Sequence, residues 1–541
     1  MNTSATLAEP ANAGGQTLQR KIGWTGAFWV ASGVPALVLF SIGAIAATVG
    51  KPAWIVWAVS ITFGFIQAFT YAEIAGLFPG KSGGASIYGA VAWVRYNKFF
   101  APVSVWCNWF AWSPVLAIGS GLTAGYILNL LFPDPTATIN TWQITLVDLG
   151  ALKEGLTLRI NATFGVGAVA MLTTFSIQHG GILRSAKATM VMAIAALVPL
   201  MLVALVPLVS GDIPAAHFSP MVPLGGLGED GKPLDGLWNQ AGWTLMAGGL
   251  FIAAWSTYGL ETAVCYTREF KNPERDTFKA IAYSGLLCVA AFILIPLAFQ
   301  AHLGLEGMLA PDIYSGMGVA AAMSKFIDAG ALVQKIIVVM MILALVLSIM
   351  TAMGGSSRTL YQASADGWLP KYLSRVNRHG APTNAMWTDL GFNLILLMMS
   401  DYVFILAISN VGYIIFNFLN LNAGWIHRLD RPDVQRPWKA PTWLLGLGTG
   451  LAFVNMFLMG MGAGIWGEGT LKAGLFFATL IVPVFIFRHY LQDKGTFPAG
   501  MHEDLQIEGG EGGATKRAGV LPYLAVAGGV FACWLGTQMA A

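Results

Sequence analysis

Apolar runs of bilayer-spanning length recur through almost the whole chain, and this pattern constrains the fold more than any motif. A helix needs roughly 17 to 25 residues to cross the hydrocarbon core, where only helices and closed barrels satisfy their own backbone hydrogen bonds. With 56% hydrophobic and 11% charged residues among 541, the chain is predicted to be an all-α polytopic membrane protein. The twelve predicted spans are 29–49, 54–77, 103–131, 160–177, 190–209, 243–264, 281–299, 336–352, 385–399, 402–425, 444–466 and 473–490.

The two ends of the chain are predicted to differ from this helical body. Residues 1–21 are polar and rich in Ala and Gly, which favours a disordered tail, and the first apolar run is too long for a cleaved signal peptide. Placing the tail in the cytoplasm puts 23 of the 30 Lys and Arg residues on the inner side, which agrees with the positive-inside rule. At the other end, residues 492–541 are predicted to form a cytoplasmic linker and a thirteenth helix over 520–539.

Two predicted helices carry interruptions at corresponding places in the chain. One is the stretch Ala31-Ser32-Gly33-Val34-Pro35 in helix one, and the other is Ser256-Thr257-Tyr258-Gly259 in helix six. Interrupted helices in two halves of opposite topology indicate an inverted repeat with a binding site near the bilayer midplane. We therefore predict two halves of five helices, 22–210 and 211–428, followed by two further helices over 429–491.

Four ordered blocks of the sequence resemble a known family. They are EIAGLFPGKSGGASIYGAV (73–91), GILRSAKATMVMAIAALVPL (181–200), WSTYGLETAVCYTREFKNPERDTFKAI (255–281) and SSRTLYQASADGWLPKYLSRVNRHGAPTNA (356–385). They look like the conserved blocks of the amino acid, polyamine and organocation transporters. The resemblance implies the five-plus-five inverted-repeat fold of the LeuT type. The Trp-Ser-x-x-Gly-x-Glu pattern that begins at Trp255 is most similar to the arginine/agmatine antiporters.

The resemblance also implies roles for particular residues. The turn in helix one would hold a substrate carboxylate on its free N–H groups, the carbonyls of the facing break would receive an ammonium, and Trp255 would be an aromatic lid over the substrate. Trp109 and Trp112 on helix three are candidates for the cavity wall. The predicted substrate-binding residues are Ser32, Gly33, Val34, Trp255, Ser256, Thr257, Tyr258 and Gly259.

The coupling ion is left open by the sequence. Glu261 follows the helix-six interruption, where a carboxylate either takes part in proton coupling or forms an ion pair that holds an inner gate. Proton-dependent relatives carry a lysine on helix five, but the matching position here is Ala196. Ser348 and Thr351 on helix eight could supply oxygen ligands to a sodium ion, although such hydroxyls also bond back to their own helix. Exchange without a coupling ion is the third alternative.

The remaining chemistry favours transport over catalysis. The chain has no phosphate-binding glycine loop and no HExxH motif, and its four cysteines and seven histidines are not spaced as metal ligands. No enzyme activity, cofactor, metal centre or nucleic-acid partner is therefore predicted. The predicted function is secondary active transport of amino acids or related amines, as symporter or exchanger, in an inner or plasma membrane, with lipid and a second copy of the chain as further partners. The alternatives are a polyamine or organocation exchanger and a nutrient sensor that binds without transporting.

Overall fold

Helices dominate the computed structural model, which describes residues 18–211, 213–505 and 516–540. The α-helices are α1 (Trp24–Ala31), α2 (Ile42–Val49), α3 (Ala53–Gly76), α4 (Ala85–Trp93), α5 (Phe100–Trp112), α6 (Val115–Leu131), α7 (Thr138–Thr141), α8 (Ala162–His179), α9 (Ile182–Met192), α10 (Val198–Ala204), α11 (Val206–Ser210), α12 (Gln240–Ala253), α13 (Tyr258–Thr262), α14 (Pro273–Met308), α15 (Pro311–Tyr314), α16 (Val319–Phe326), α17 (Ala331–Ala365), α18 (Thr383–Leu397), α19 (Tyr402–Asp430), α20 (Thr442–Gly462), α21 (Thr470–Thr479), α22 (Ile481–Ile486), α23 (Ala499–Leu505) and α24 (Leu521–Met539).

Short irregular helices and two small sheets complete the architecture. The 3-10 helices are Pro35–Phe40, Ala215–His217, Ala254–Thr257, Ala263–Glu269, Lys371–Ser374 and Ala463–Trp466, and the π-helical turns are Ala193–Leu197 and Phe487–Gln492. The strands β1 (Gln143–Asp148) and β2 (Thr157–Asn161) form one antiparallel pair, and β3 (Leu224–Leu227) and β4 (Pro233–Asp235) form another.

Several of these helices are suited to a membrane by length and composition. Among the described residues eight helices qualify, or nine if the pair Trp24–Phe40 and Ile42–Val49, bent by 46°, counts as one span. The eight are Ala53–Gly76, Phe100–Leu131, Ile182–Ser210, Pro273–Met308, Ala331–Ala365, Tyr402–Asp430, Thr442–Trp466 and Thr470–Gln492. These eight helices and the bent pair correspond to nine of the twelve predicted spans. The segments predicted over 160–177, 243–264, 385–399 and 520–539 are helical, but they do not meet the same length and composition criteria.

The packed chain begins slightly before the predicted boundary at residue 22. Leu18 is buried, and the N–H groups of Lys21 and Ile22 donate to the carbonyl of Glu269 at 3.0 and 3.1 Å. Pairing with the segment after α13 therefore extends the fold into the predicted tail. Residues 1–17 of that tail, and residues 506–515 and 541 of the predicted C-terminal linker and helix, lie outside the described part of the chain.

Helices distant in sequence pack together to form the interior. Helix α3 packs against α14, α6 against both α8 and α17, and α5 against α19. These contacts enclose the first interrupted helix and the segment from α12 to α13.

Candidate functional site

The first interruption lies where the sequence predicts it. Helix α1 ends at Ala31, and a 3-10 helix begins at Pro35. Ser32 closes the end of α1, with its Oγ donating to the carbonyl of Trp29 at 2.6 Å. The N–H groups of Gly33 and Val34 have no backbone acceptor within the described residues. The turn therefore presents two free donors, and Pro35 removes none that the first turn of the next helix would use.

Two hydroxyls of α17 meet the carbonyls of this turn. Ser348 Oγ donates to the carbonyl of Gly33 at 2.6 Å, and Thr351 Oγ1 donates to the carbonyl of Val30 at 2.6 Å. A Cβ added at Gly33 would lie 2.7 Å from the carbonyl oxygen of Leu347, so glycine permits the close approach. Ser348 Oγ also lies 2.9 Å from the carbonyl of Ala344 on its own helix, as the back-bonding alternative describes.

The second interruption differs from the unwound segment expected in helix six. Helix α12 ends at Ala253, the 3-10 helix Ala254–Thr257 follows, and α13 continues directly from Tyr258. The backbone keeps right-handed helical angles at the junctions. A 3-10 turn satisfies its backbone groups locally, so the chain changes helix type at this depth without exposing unpaired polar groups.

The two interruptions touch each other at a glycine. A Cβ built on Gly259 would lie 3.3 Å from Cβ of Val34 and 2.7 Å from Sγ of Cys288. Both distances are shorter than ordinary side-chain contacts. The absence of a side chain at Gly259 therefore lets α13 pack directly on the turn after α1.

A cavity of about 540 Å³ lies beside the second interruption. Trp255 and Tyr258 line it, together with apolar residues of the Pro35–Phe40 helix, α2, α6, α12 and α19. Trp255 is buried and packs edge-on against Trp57 and Phe292, with ring centroids 5.7 and 5.4 Å away. The other predicted substrate-binding residues are buried outside the cavity lining: Ser32, Gly33, Val34, Ser256, Thr257 and Gly259.

The two tryptophans predicted for the cavity wall face elsewhere. Trp112 packs against Tyr258 at 4.9 Å between ring centroids. Trp109 points to α18, where its Nε1 donates to Asp389 Oδ1 at 2.8 Å. Neither residue lines the described cavity, because consecutive turns of α5 direct these side chains to Tyr258 and to α18.

Glu261 is buried on α13 beside Asn108 and Trp112. Its Oε2 accepts one long hydrogen bond, 3.4 Å, from Asn108 Nδ2. Its Oε1 has no hydrogen-bond partner among the described residues, and no described cation pairs with it. The described residues therefore contain no ion pair of Glu261, which the ion-pair alternative would need in this conformation.

Glu269, eight residues after Glu261, does form a buried ion pair. Arg358 Nη2 donates to Glu269 Oε1 at 3.0 Å, and Nε pairs with Oε2. The guanidinium also lies over the ring of Tyr266, 4.5 Å from its centroid. This buried pair joins α17 to the segment Ala263–Glu269. Sequence reasoning missed it, although both residues belong to the blocks quoted for the family resemblance.

A second buried carboxylate was also missed. Asp389 on α18 accepts hydrogen bonds from Ser113 Oγ at 2.6 Å, from Ser356 Oγ at 2.5 Å and from Trp109. Its charge is thus solvated by three neutral donors from α5, α17 and the residue that follows α5. The sequence signal for this carboxylate was a single acidic residue within the predicted span 385–399.

Comparison with known proteins gives the family. The model of the family described as amino acid permease matches residues 22–486. The chain belongs to that family. Its members are permeases, not enzymes, and the apolar helices make this chain a multi-pass membrane protein.

Individual relatives are distant and differ in what they are named for. The branched-chain amino acid permease BcaP of Bacillus subtilis (strain 168) is 23% identical over 40% of this chain and 46% of its own length. The polyamine transporter PUT1 of Oryza sativa subsp. japonica is 27% identical over 37% of this chain and 36% of its own. Cationic amino acid transporter 9, chloroplastic, of Arabidopsis thaliana is 23% identical over 58% of this chain and 49% of its own. The chain thus spans less than half the length of each relative.

Proposed function

We propose that this permease is a secondary active transporter of amino acids or related amines that works by alternating access. The observation that carries the proposal is the junction of the two interruptions, where Val34 meets Gly259 close in sequence to Trp255 and Tyr258, which line the cavity. Discontinuous helices that meet in this way frame substrate sites in transporters. The relatives named above, which carry amino acids or polyamines by their names, support the same class.

In this proposal the turn after α1 holds the substrate carboxylate. The free N–H groups of Gly33 and Val34 are the donors, and Trp255 closes over the bound molecule. Ser256, Thr257, Tyr258 and Gly259 form the facing wall. Substrate enters through the cavity, and the inner end is held shut by the pair of Arg358 and Glu269.

Two coupling routes remain as proposals, one for each ion. Glu261 offers a buried carboxylate oxygen without a partner, which suits a proton that moves with substrate. Ser348 and Thr351 offer hydroxyls beside two carbonyls of the first interruption, which suits sodium. Measuring uptake under a sodium gradient and under a proton gradient separates the two.

We further propose the five-plus-five fold, with repeats over 22–210 and 211–428, two helices over 429–491, and an N-terminus in the cytoplasm of an inner or plasma membrane. Helix α24 would be a thirteenth span. Its Gly528 lies near Phe453 and its Gly536 near Phe457 and Met461, so it runs parallel to α20. At its far end the carbonyl of Met539 accepts a hydrogen bond from Gln240 at 3.0 Å.

Uptake into proteoliposomes tests the function. The full chain is reconstituted, and uptake of labelled leucine and arginine is measured with each ion gradient. Trp255→Ala should abolish uptake because the cavity loses its closing ring, while Trp443→Ala, at a 70% exposed position, should leave it unchanged. Substrate-induced thermal stabilisation without any uptake or exchange would favour the sensor alternative. Normal uptake by well-folded Trp255→Ala would overturn the role of the lid.

A further inference from the structure

The wall of the cavity is mostly apolar. Its apolar residues come from four elements among others: the 3-10 helix after the first interruption, the first half of α6, α12 and α19. The lining side chains that matter most are Leu37, Phe40, Val115, Ile118, Ile252 and Leu406. Because these residues line the same cavity as Trp255 and Tyr258, a substrate side chain bound there would be surrounded mainly by hydrocarbon.

The charged residues of the lining lie in loops and keep contact with solvent. They are Lys153 and Glu154, between β1 and β2, and Asp401, which precedes α19. Lys153 pairs with Asp401, and the side chains are 33% and 29% exposed. Asp401 also caps α19 by accepting from the N–H of Phe404 at 2.9 Å. Glu154 is exposed to solvent. None of the three offers a desolvated carboxylate to a substrate deeper inside.

The buried carboxylate of Glu261 is not part of the cavity lining. Glu261 lies on the same helix as Tyr258 but does not line the cavity, and its neighbours are Asn108 and Trp112. A guanidinium or second ammonium on the substrate would therefore lose its water without gaining a counter-charge. Trp255 offers limited compensation through its π face, because Trp57 and Phe292 already pack against its ring.

We propose that the substrate is a zwitterionic amino acid with an apolar side chain of about leucine to phenylalanine size, and that arginine, agmatine and polyamines are excluded. This inference rests on the proposed transport function and narrows its substrate class. It gives more weight to the apolar lining of the cavity than to the similarity of the Trp255 segment to arginine/agmatine antiporters, which would favour a cationic substrate. Burial of a leucine-sized side chain corresponds to about a tenfold or larger gain in affinity over a substrate that leaves the apolar wall unfilled.

Ligand-induced thermal stabilisation of the detergent-purified full chain tests the inference. The panel is L-leucine, L-phenylalanine, L-arginine, agmatine and putrescine, each titrated separately. We expect leucine or phenylalanine to bind at least about tenfold more tightly than the three cations. Arginine, agmatine or putrescine binding as tightly as leucine, with uptake of that cation into proteoliposomes, would overturn the substrate class and leave the transport function standing. A folded protein that neither binds nor transports any of the five would overturn both.

A charge placed in the wall provides the matched test. Ile118 lines the cavity on α6 and is one turn away from Val115. Ile118→Asp should weaken leucine binding and strengthen arginine binding, because it supplies the missing counter-charge. Ile118→Asn is the control for polarity and size: it should weaken leucine binding without a gain for arginine. An equal gain for arginine in both variants, or in neither, would contradict the electrostatic argument.

Discussion

Adding one methyl group at Gly259 tests the junction between the two interruptions. The new Cβ would lie 2.7 Å from Cys288 Sγ and 3.3 Å from Val34 Cβ, whereas ordinary contacts between carbon atoms begin near 3.5 Å. Neighbours must therefore move by up to about 1 Å, and such overpacking costs about 1–3 kcal/mol. Elsewhere in a helix, Gly→Ala gains up to about 1 kcal/mol. We expect Gly259→Ala to lower the free energy of unfolding by about 1–2 kcal/mol.

The matched control is Gly391→Ala on α18, where an added Cβ has no neighbour within 4 Å among the described residues. It should be neutral or stabilising by up to about 1 kcal/mol. Cys288→Ala in the Gly259→Ala background removes the closer obstacle and should recover at least about half of the loss. The measurement is reversible unfolding in mixed micelles. If Gly259→Ala is as stable as Gly391→Ala, the two interruptions do not pack as described.

Three further predictions concern the ion pair of Arg358 with Glu269, the Thr351 hydroxyl, and the C-terminal helix α24. Glu269→Gln leaves the buried Arg358 guanidinium without its counter-charge and should lower the free energy of unfolding by about 3–5 kcal/mol in the same assay. The double variant Glu269→Gln with Arg358→Met should be less destabilised, and additive losses from the two substitutions would refute an interaction between these residues. If sodium is the coupling ion, Thr351→Ala should raise the sodium concentration needed for half-maximal uptake. The control is Ser357→Ala, because the Ser357 hydroxyl donates to its own helix at 2.6 Å; equal effects of the two substitutions would contradict the sodium site. A single cysteine added after Ala541, in a background without the four native cysteines, should react with an impermeant reagent in intact cells if α24 spans the membrane; labelling only after permeabilisation would refute that topology.

The sequence predicted features that depend on local pattern. The first interruption was located from a run of small residues around Gly33, and nine of the twelve spans were located from apolar length alone. The character of the second interruption was not accessible in this way. Its 3-10 geometry around Thr257 depends on how that segment packs on other helices, for example on Gly64, where an added Cβ would overlap the Thr257 side chain.

The orientation of side chains was the harder problem. Trp109 and Trp112 are three residues apart on one helix, and the sequence could not show that one faces α18 while the other faces Tyr258. In the same way, Glu261 and Glu269 precede the same basic loop. Only the fold shows that Arg358, 89 residues away from Glu269, reaches the second of them.

The buried acids of the interior are satisfied in different ways, and this difference bears on coupling. Glu73 pairs with Arg428 at 2.6 Å and with Arg436 at 3.0 Å. Glu269 has Arg358, and Asp389 has three hydrogen-bond donors. Glu261 has one long hydrogen bond and an oxygen with no partner within the described chain.

A buried carboxylate with few hydrogen-bond partners is costly to keep charged. Such a residue is useful to a transporter when its partners change during the transport cycle. Glu261 lies two residues from Gly259, where α13 touches the turn after α1. A movement of that turn on substrate binding would alter the surroundings of Glu261 directly. The fully satisfied acids Glu269 and Asp389 instead tie α17 to its neighbours. Glu261→Gln should therefore change the pH dependence of uptake more than the stability of the fold, whereas a loss of stability as large as that expected for Glu269→Gln would show that Glu261 is a structural residue.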